Sequence, residues 1–346
     1  MTLTSHNSVG VVAIGRNEGK RLQRCLESLH NQVSAIVYVD SGSTDGSVDL
    51  ARSLNAEVVE LDLSTPFTAA RARNAGFARL LELHPDLEFV QMIDGDCELF
   101  AGFLDAALQP LSTDSTLACV CGRRRERFPQ VSIYNTLCDI EWNTPVGPAT
   151  ECGGDALFRV SALQQAHGYA DDLIAGEEPE LCLRLRALGF TILRIDADMT
   201  LHDAAMTSFS QWWKRNIRAG YAYAEGWFRH GKSPDHFRAR ELRSILFAAL
   251  ILPLLAIVPA FFTFGLTLLL LLFYPFLYLR IRKWRISQGD SSATAALYSR
   301  FCVVGKFPQF LGILRCAFNR FFHRRAKILE YKSHSSPITS LHTKSS

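Results

Sequence analysis

Residues that can hold a cation, a phosphate or a proton gather at a few points of this chain. Asp94-Gly95-Asp96 ends the apolar run Phe89-Val90-Gln91-Met92-Ile93. Two residues apart, the carboxylates leave the same side of an extended chain, and Gly95 between them lets another group approach the backbone. Like charges held together at a strand end are unfavourable unless a cation sits between them, although Asp-Gly is also a hairpin-turn signal. Asp40 closes a second apolar run, Ala35-Ile36-Val37-Tyr38-Val39. There it suits hydrogen bonds from a base or ribose, or the role of a turn or cap residue. Glu177-Glu178-Pro179-Glu180 puts three acids in four residues at a helix start. The macrodipole favours acids there and Pro179 fits the first turn; one of the acids facing a cleft could act as a base. His202 is a lone histidine after a strand. Gly153, Gly154 and Asp155 form a loop that turns the chain or brings backbone N–H groups to a ligand. Arg71 and Arg73 form a solvated helix face or neutralise a diphosphate. Gln211, Trp213, Arg215 and Arg218 lie on one long helix and bind pyrophosphate or lipid phosphate, or form its basic outer face.

The elements that would position these groups follow from periodicity. Residues 9–14 read as a buried strand, followed by Gly15-Arg16-Asn17-Glu18 and a helix with Leu22, Cys25, Leu26 and Leu29 on one face. Residues 35–39 are a second strand, ending in Asp40-Ser41-Gly42-Ser43-Thr44-Asp45-Gly46 and a helix to about Leu54. Residues 58–61 are a third strand and 67–83 a third helix, and the strand ending at Asp94 comes fourth. Strand–helix alternation with short links predicts an α/β fold with a mostly parallel sheet and right-handed crossovers. Ligands of such sheets sit beyond the carboxyl ends of the strands, so one crevice can collect Asp40, Asp94 and Asp96. Residues 113–205 are less regular. Arg123-Arg124-Arg125-Glu126-Arg127 reads as a solvated charge run, the segment after Asp155 as an apolar helix, residues 191–195 as a strand and 207–228 as a long helix. A dinucleotide fingerprint and a Walker loop are both absent from the front half.

The formal net charge of +3 conceals an asymmetry. Residues 1–205 carry 16 Lys/Arg against 29 Asp/Glu, a balance of −13, and residues 206–346 carry 21 against 5, a balance of +16. The acidic front half argues against nucleic acid as a partner, and the basic back half suits phosphates or anionic lipid. Nine cysteines, no zinc-ligand spacing and no signal peptide read as reduced thiols of a cytosol-facing protein. Residues 245–279 run for 35 residues without a charge, which predicts membrane insertion. One helix of that length would measure about 52 Å, too long for a core of roughly 30 Å. Basic residues flank both ends, so the positive-inside rule favours a hairpin turning near Thr263-Phe264-Gly265, with a re-entrant segment as the alternative. The expected organisation is a catalytic domain over 1–230, a basic linker over 231–244, the inserted hairpin over 245–279, a basic amphipathic interfacial segment over 280–332 and a disordered tail over 333–346.

Taken in order across residues 9–230, these motifs resemble the inverting glycosyltransferases of family 2, membrane-associated and of the kind that assembles exopolysaccharide. Arg16-Asn17-Glu18 is similar to the family's asparagine-glutamate motif, Val39 to Gly46 to its nucleotide-binding loop, and Ala72-Arg73-Asn74-Ala75-Gly76 to its arginine-asparagine segment. Asp94-Gly95-Asp96 falls at the metal-binding aspartate pair, and Gly176-Glu177-Glu178 at the acidic motif that supplies the acceptor base. The resemblance implies a GT-A fold (a Rossmann-like, mostly parallel sheet with flanking helices) plus C-terminal membrane helices. It also implies a nucleotide-diphosphate-sugar donor and a divalent cation, Mn2+ or Mg2+. By residue, it assigns Glu178 or Glu177 as base, and Asn17, Glu18, Asp40, Ser41, Arg73 and Asp94 to the donor. Asp96, with Asp94 and His202, holds the metal, and Asp94 also serves the ribose or a metal-bound water. Gly153, Gly154, Asp155, Gln211, Trp213 and Arg215 fall to the acceptor or phosphate. The chain departs from the family at Ser41, where many relatives have a second aspartate, at Glu178, where Asp is common, and at Gln211–Arg215, which lacks the order found in processive synthases. Transfer of one sugar to a lipid-linked or saccharide acceptor is therefore expected, at the cytoplasmic face of the cell (inner) membrane. The rival readings are a polyprenyl-phosphate glycosyltransferase and a non-catalytic membrane scaffold.

Overall fold

The computed structural model describes residues 8–324. Strands β1 (Val9–Gly15), β2 (Ala35–Asp40), β3 (Glu57–Glu60) and β4 (Phe89–Asp94) lie parallel, joined by α1 (Lys20–Leu29), α2 (Ser47–Ser53) and α3 (Ala69–Leu83). α1 buries Leu22, Cys25, Leu26 and Leu29, the face its spacing predicts. α3 lies directly on the sheet at Gly76, where a β-carbon would run into Val12 and Val39. The chain then adds β5 (Cys97–Leu99), α4 (Phe103–Thr113), β6 (Leu117–Glu126), α5 (Ile133–Trp142), β7 (Gly147–Pro148), β8 (Ala156–Arg159), α6 (Val160–Gln165), α7 (Glu177–Ala187) and β9 (Thr191–His202). The sheet order is β3-β2-β1-β4-β8-β6-β9-β5, with β7 paired to β9. Strand order reverses at β1, which has β2 on one side and β4 on the other, so the crevice expected of an α/β sheet opens there.

Two stretches differ from the sequence expectation. The apolar segment after Asp155 is not helical at its start: Ala156 to Arg159 form β8, which fills the gap between β4 and β6 antiparallel to both. Cross-strand pairing on both edges outweighs a short apolar run's helical reading. β9 runs on to His202 because its far half pairs with β5, placing His202 opposite Cys97.

Beyond the sheet, α8 (Phe209–His230) opens with a capping box between Ser208 and Gln211. α9 (Ala239–Leu246) occupies part of the stretch read as a linker and continues through a π-helical turn (Phe247–Ile251) into α10 (Leu252–Ile257) and a 3-10 turn (Val258–Phe261). The chain reverses at Phe264 and Gly265, both at positive φ (51° and 85°), and returns through a 3-10 segment (Leu266–Leu272) into α11 (Phe273–Ser287). The arms are tied where the Thr267 hydroxyl donates to the Ala256 carbonyl (2.8 Å) and the Tyr274 hydroxyl to that of Ala248 (2.6 Å). Large apolar side chains cover the tip, with Phe261, Phe262 and Phe264 at least 80% exposed.

Two helices follow, α12 (Ser292–Val304) and α13 (Lys306–Phe321). α13 packs on α8 at Gly220 and Gly312, where β-carbons would overlap the carbonyls of Gln309 and Ile217. The apolar stripe of α13 is thus divided: Ile313 and Cys316 are buried, while Leu311, Leu314, Phe318, Phe321 and Phe322 stay exposed. Among the described residues two helices are long and apolar enough to cross a membrane, Ala239–Phe261 (hydropathy 2.5) and Ser292–Phe321 (hydropathy 1.3). The end of the interfacial segment and the tail over 333–346 lie outside the described residues.

Candidate active site at the carboxyl edge of the sheet

The loops after β1, β2 and β4 are stitched together by their own polar groups. Asn17, at φ 55°, donates its N–H to Ser43 Oγ (2.9 Å) and accepts the Thr44 N–H on Oδ1 (2.7 Å). It thereby fixes the first loop against the second. Asp40 is buried and accepts from the Tyr38 hydroxyl (3.0 Å) and from the N–H groups of Gly42 (2.9 Å) and Ser43 (2.7 Å). Its carboxylate shapes its own loop, and Ser41 is the member of that loop that lines the crevice. Gly95 donates its N–H to the Ile14 carbonyl (2.7 Å), which pins the Asp94-Gly95-Asp96 turn beside β1.

Beneath that turn lies an ion network only half legible in the sequence. Arg73 is 2% exposed and donates to Asp94 Oδ1 (2.7 Å) and Glu177 Oε1 (2.9 Å). Burial alone would lower its guanidinium, yet Asp94, Tyr169, Glu177 and Asp155 together hold it above its ordinary value. Arg124 pairs with Asp155 (2.7 Å) and with Asp94 Oδ2 (3.5 Å), so this member of the charge run is a partly buried, ion-paired cation and not a solvated one. Asp155 is fully buried: Oδ1 accepts the Asp94 N–H (3.0 Å) and Oδ2 the Thr200 hydroxyl (2.7 Å). Assigned to an acceptor or phosphate, Asp155 instead supports the turn from below. Gly154 belongs to the same packing, since a β-carbon there would meet Arg124, Asp94 and Arg73. Gly153 supplies the left-handed φ of 84° that turns the loop.

The two aspartates of the turn are inequivalent. Asp94 faces two arginines, whereas Asp96 faces His202, with Nε2 to Oδ2 at 3.4 Å. The other ring nitrogen of His202 points toward Glu126 Oε2 at 3.9 Å, and Trp142 stacks edge-on to the imidazole at 4.7 Å between centroids. At 3.9 Å Glu126 is beyond direct hydrogen-bond reach of the ring and sets a carboxylate behind the imidazole. An Asp96 oxygen and a His202 nitrogen are a donor pair that would suit a divalent cation such as Mn2+ or Mg2+. Cys97 lies in the same cluster, but burial pushes its thiol well up, so it keeps its proton. Glu126 is a residue the sequence reading missed; it is buried and also accepts the Ala204 N–H (3.0 Å) and Asn135 Nδ2 (3.1 Å).

Glu177 and Glu178 open α7 with different surroundings. Glu177 lines the crevice and is held by Arg73. Glu178, 7% exposed, has no cation partner among the described residues. Its Oε1 accepts the Cys152 N–H (2.6 Å) and the Cys182 thiol (3.0 Å). Burial pushes the Glu178 carboxyl well above the ordinary carboxylate range; Cys182 and Glu151 add to the shift, against the Cys152 N–H.

A crevice of about 590 Å³ opens beside these groups, and Glu178 and His202 are buried and not among its lining residues. Of the sequence-assigned residues, Glu18, Ser41, Arg73, Asp94, Asp96 and Glu177 line it, as does Arg215. Gln211 instead caps α8, its Oε1 taking the Ser208 N–H (3.0 Å), and Trp213 packs against Phe209 at 5.5 Å. Arg71 donates to the carbonyls of Asp62 and Thr65, away from the crevice.

Residues 10–164 match the family model described as glycosyl transferase family 2. A TPR repeat-containing protein of Synechococcus elongatus is 29% identical over 161 residues, 45% of this chain and 37% of that protein. The chain thus matches little more than a third of that relative's length. Among solved structures, a mannosyltransferase from Pyrobaculum calidifontis in complex with GDP-Man and Mn2+ superposes with a TM-score of 0.58 at 17% identity, covering 92% of this chain and 89% of its own. Glucosyl-3-phosphoglycerate synthase from Mycobacterium tuberculosis, with Mn2+, UDP and glucosyl-3-phosphoglycerate, gives 0.46 at 18% identity, covering 63% and 78%. The family-model match is confined to residues 10–164, less than half of the chain, and the fold that carries these residues is a GT-A fold.

Proposed function

We propose that the protein transfers a sugar from a nucleotide-diphosphate sugar to a hydroxyl of a lipid-linked saccharide, with inversion and with a divalent cation. The observation that carries this reading is that Asp96, paired with His202, and the Asp94–Arg73–Glu177 bridge line one crevice at the strand-order reversal, with Glu178 buried next in sequence to Glu177. The same-fold mannosyltransferase, which holds GDP-Man and Mn2+, is consistent with it.

Asp96 and His202 would hold the cation, which when bound neutralises the charge that gathers on the leaving diphosphate. Asn17 and Asp40 keep the two nucleoside-facing loops in place, and Glu18 and Ser41 face the donor. Arg73 sets positive charge beside the diphosphate, and Glu177 fixes its direction. Glu178 removes the proton of the acceptor hydroxyl, which then attacks the anomeric carbon from the face opposite the diphosphate. Chemically it is the better base of the pair: Glu177 is neutralised by Arg73, whereas Glu178 is desolvated and lacks a cation, which raises its affinity for a proton toward the working range of a general base. Positioning of donor and acceptor supplies much of the remaining acceleration.

The exposed apolar hairpin and α13 face support a membrane location for the crevice, and the positive-inside rule favours basic flanks on the cytoplasmic side. A thermal-shift screen of nucleoside diphosphates and their sugars with Mn2+ tests the donor assignment. A ligand at a hundred times its Kd stabilises by about 2.7 kcal/mol. Absence of any Mn2+-dependent stabilisation across the panel would rule the donor assignment out.

A further inference from the structure

The end of the crevice away from Asp96 is built by α8 and by the segment entering α9. Its three arginines have different partners. Arg215 pairs with Glu141 (2.6 Å). Arg238 pairs with Glu151 (2.8 Å) and Glu241 (3.3 Å) and lies over the rings of Tyr223 and Phe237, at 5.3 and 4.9 Å. Arg218 donates only to the Ile174 carbonyl (3.2 Å), and among the described residues it has no carboxylate partner. Arg238 neutralises Glu151, the acid on this wall, which leaves Arg218 as the uncompensated charge. An arginine held in a crevice without an acid presents a planar fork to an incoming anion, and phosphate oxygens match that fork.

The wall around Arg218 is apolar, made by Ala219, Ala222, Tyr223 and Phe237. Arg238 is the residue before α9, so this wall adjoins the root of the exposed apolar hairpin. A ligand with an anionic head and a hydrocarbon tail satisfies both surfaces at once. We infer that Arg218 binds the phosphate of an acceptor anchored by a lipid tail; this rests on the transferase reading of the same crevice. The shared chemistry is a phosphate ester, and its source is the lipid headgroup because the cation and the apolar surface adjoin.

The experiment uses the full chain in detergent with three probes: farnesyl phosphate, farnesol and inorganic phosphate. Farnesyl phosphate is expected to bind and to lose about ten- to a hundredfold in affinity in Arg218→Gln, the range of one charge-assisted contact. Lys214→Gln, at an exposed position of the same helix, is expected to bind farnesyl phosphate as the natural chain does. Arg218 is half-buried, and the thermal midpoint of its variant checks that it folds. Unchanged affinity in Arg218→Gln overturns the inference. Inorganic phosphate binding as tightly as farnesyl phosphate overturns the lipid source, and farnesol binding that falls equally in the variant overturns the phosphate role. Nucleoside diphosphate with Mn2+ is titrated in parallel on the natural chain. If it fails to bind while farnesyl phosphate depends on Arg218, the phosphate site stands and the transferase reading falls; if it binds while Arg218 is irrelevant, only the inference falls.

Discussion

Replacing each glutamate at the start of α7 by glutamine separates their roles. In Glu178→Gln the amide oxygen can still take the Cys152 N–H (2.6 Å) and the Cys182 thiol (3.0 Å), so the change removes the proton acceptor and little else. Loss of a general base costs about a hundred- to ten-thousandfold in turnover, or about 2.7–5.5 kcal/mol of transition-state stabilisation. Donor KM should stay within about threefold, because an interaction made only in the transition state lowers kcat and leaves binding alone. Glu177→Gln instead loosens Arg73, a charge-assisted bond worth about 1.5–3 kcal/mol, and raises donor KM while kcat falls less. The Glu178 carboxyl is raised by burial, so natural turnover climbs with pH through that raised value, and the climb vanishes in Glu178→Gln. Stability follows the same sign. A carboxyl raised in the folded state binds its proton more tightly there, so it lowers stability as pH rises from an unfolded value of about 4.3 through the folded one. Glu178→Gln should then match the natural protein's melting midpoint near pH 4 and equal or exceed it at pH 8. Nucleoside-diphosphate release and thermal melts across pH supply both readouts. Near-full turnover in Glu178→Gln, with activity abolished in Glu177→Gln, would assign the base to Glu177.

Three further outcomes are expected. Arg73→Met strands Glu177 and leaves Asp94 to Arg124, and removing one member of a buried ion network costs about 3–5 kcal/mol; adding Glu177→Gln should recover part of that in denaturant titrations, and no recovery would mean the bridge is not coupled. Gly220→Ala drives a β-carbon into the Gln309 carbonyl and should cost about 1–3 kcal/mol by prising α13 from α8; an unchanged melting midpoint would contradict the close packing. Phe262→Asp with Phe264→Asp puts charge on the exposed hairpin tip, at about 2.5–3.5 kcal/mol per residue if it lies deep in hydrocarbon. Flotation with anionic vesicles should then lose most of the bound protein, and full retention would place the tip outside the bilayer.

The parallel half of the sheet was readable because its strands are short apolar runs between amphipathic helices, and the Asp40 and Asp94 positions follow from where those runs end. The antiparallel half was harder. β8 is too short for periodicity to distinguish strand from helix, and only its pairing with β4 and β6 decides. Arg124 looked like one of a solvated run because register shifts between Cys121 and Arg123 and between Arg123 and Arg124 break the alternation along β6, so only the folded sheet brings Arg124 to Asp155. Glu126 sits at the end of the same strand and needed the β6–β9 pairing to bring it behind His202. Gln211 illustrates the opposite error: a polar residue in a motif-like stretch whose side chain is consumed by a helix cap.

The most direct measurement is nucleoside-diphosphate release from a panel of nucleotide-diphosphate sugars, with and without Mn2+, by the full chain and by Asp96→Asn, with the anomeric configuration of any product read by NMR. Metal-dependent release from at least one donor is expected, with an inverted product and a loss of a hundredfold or more in Asp96→Asn, on the order of one removed electrostatic stabiliser of the transition state. Release that proceeds equally in chelator and in Asp96→Asn, or a product of retained configuration, would contradict the assignment of this crevice as an inverting, cation-assisted transferase site.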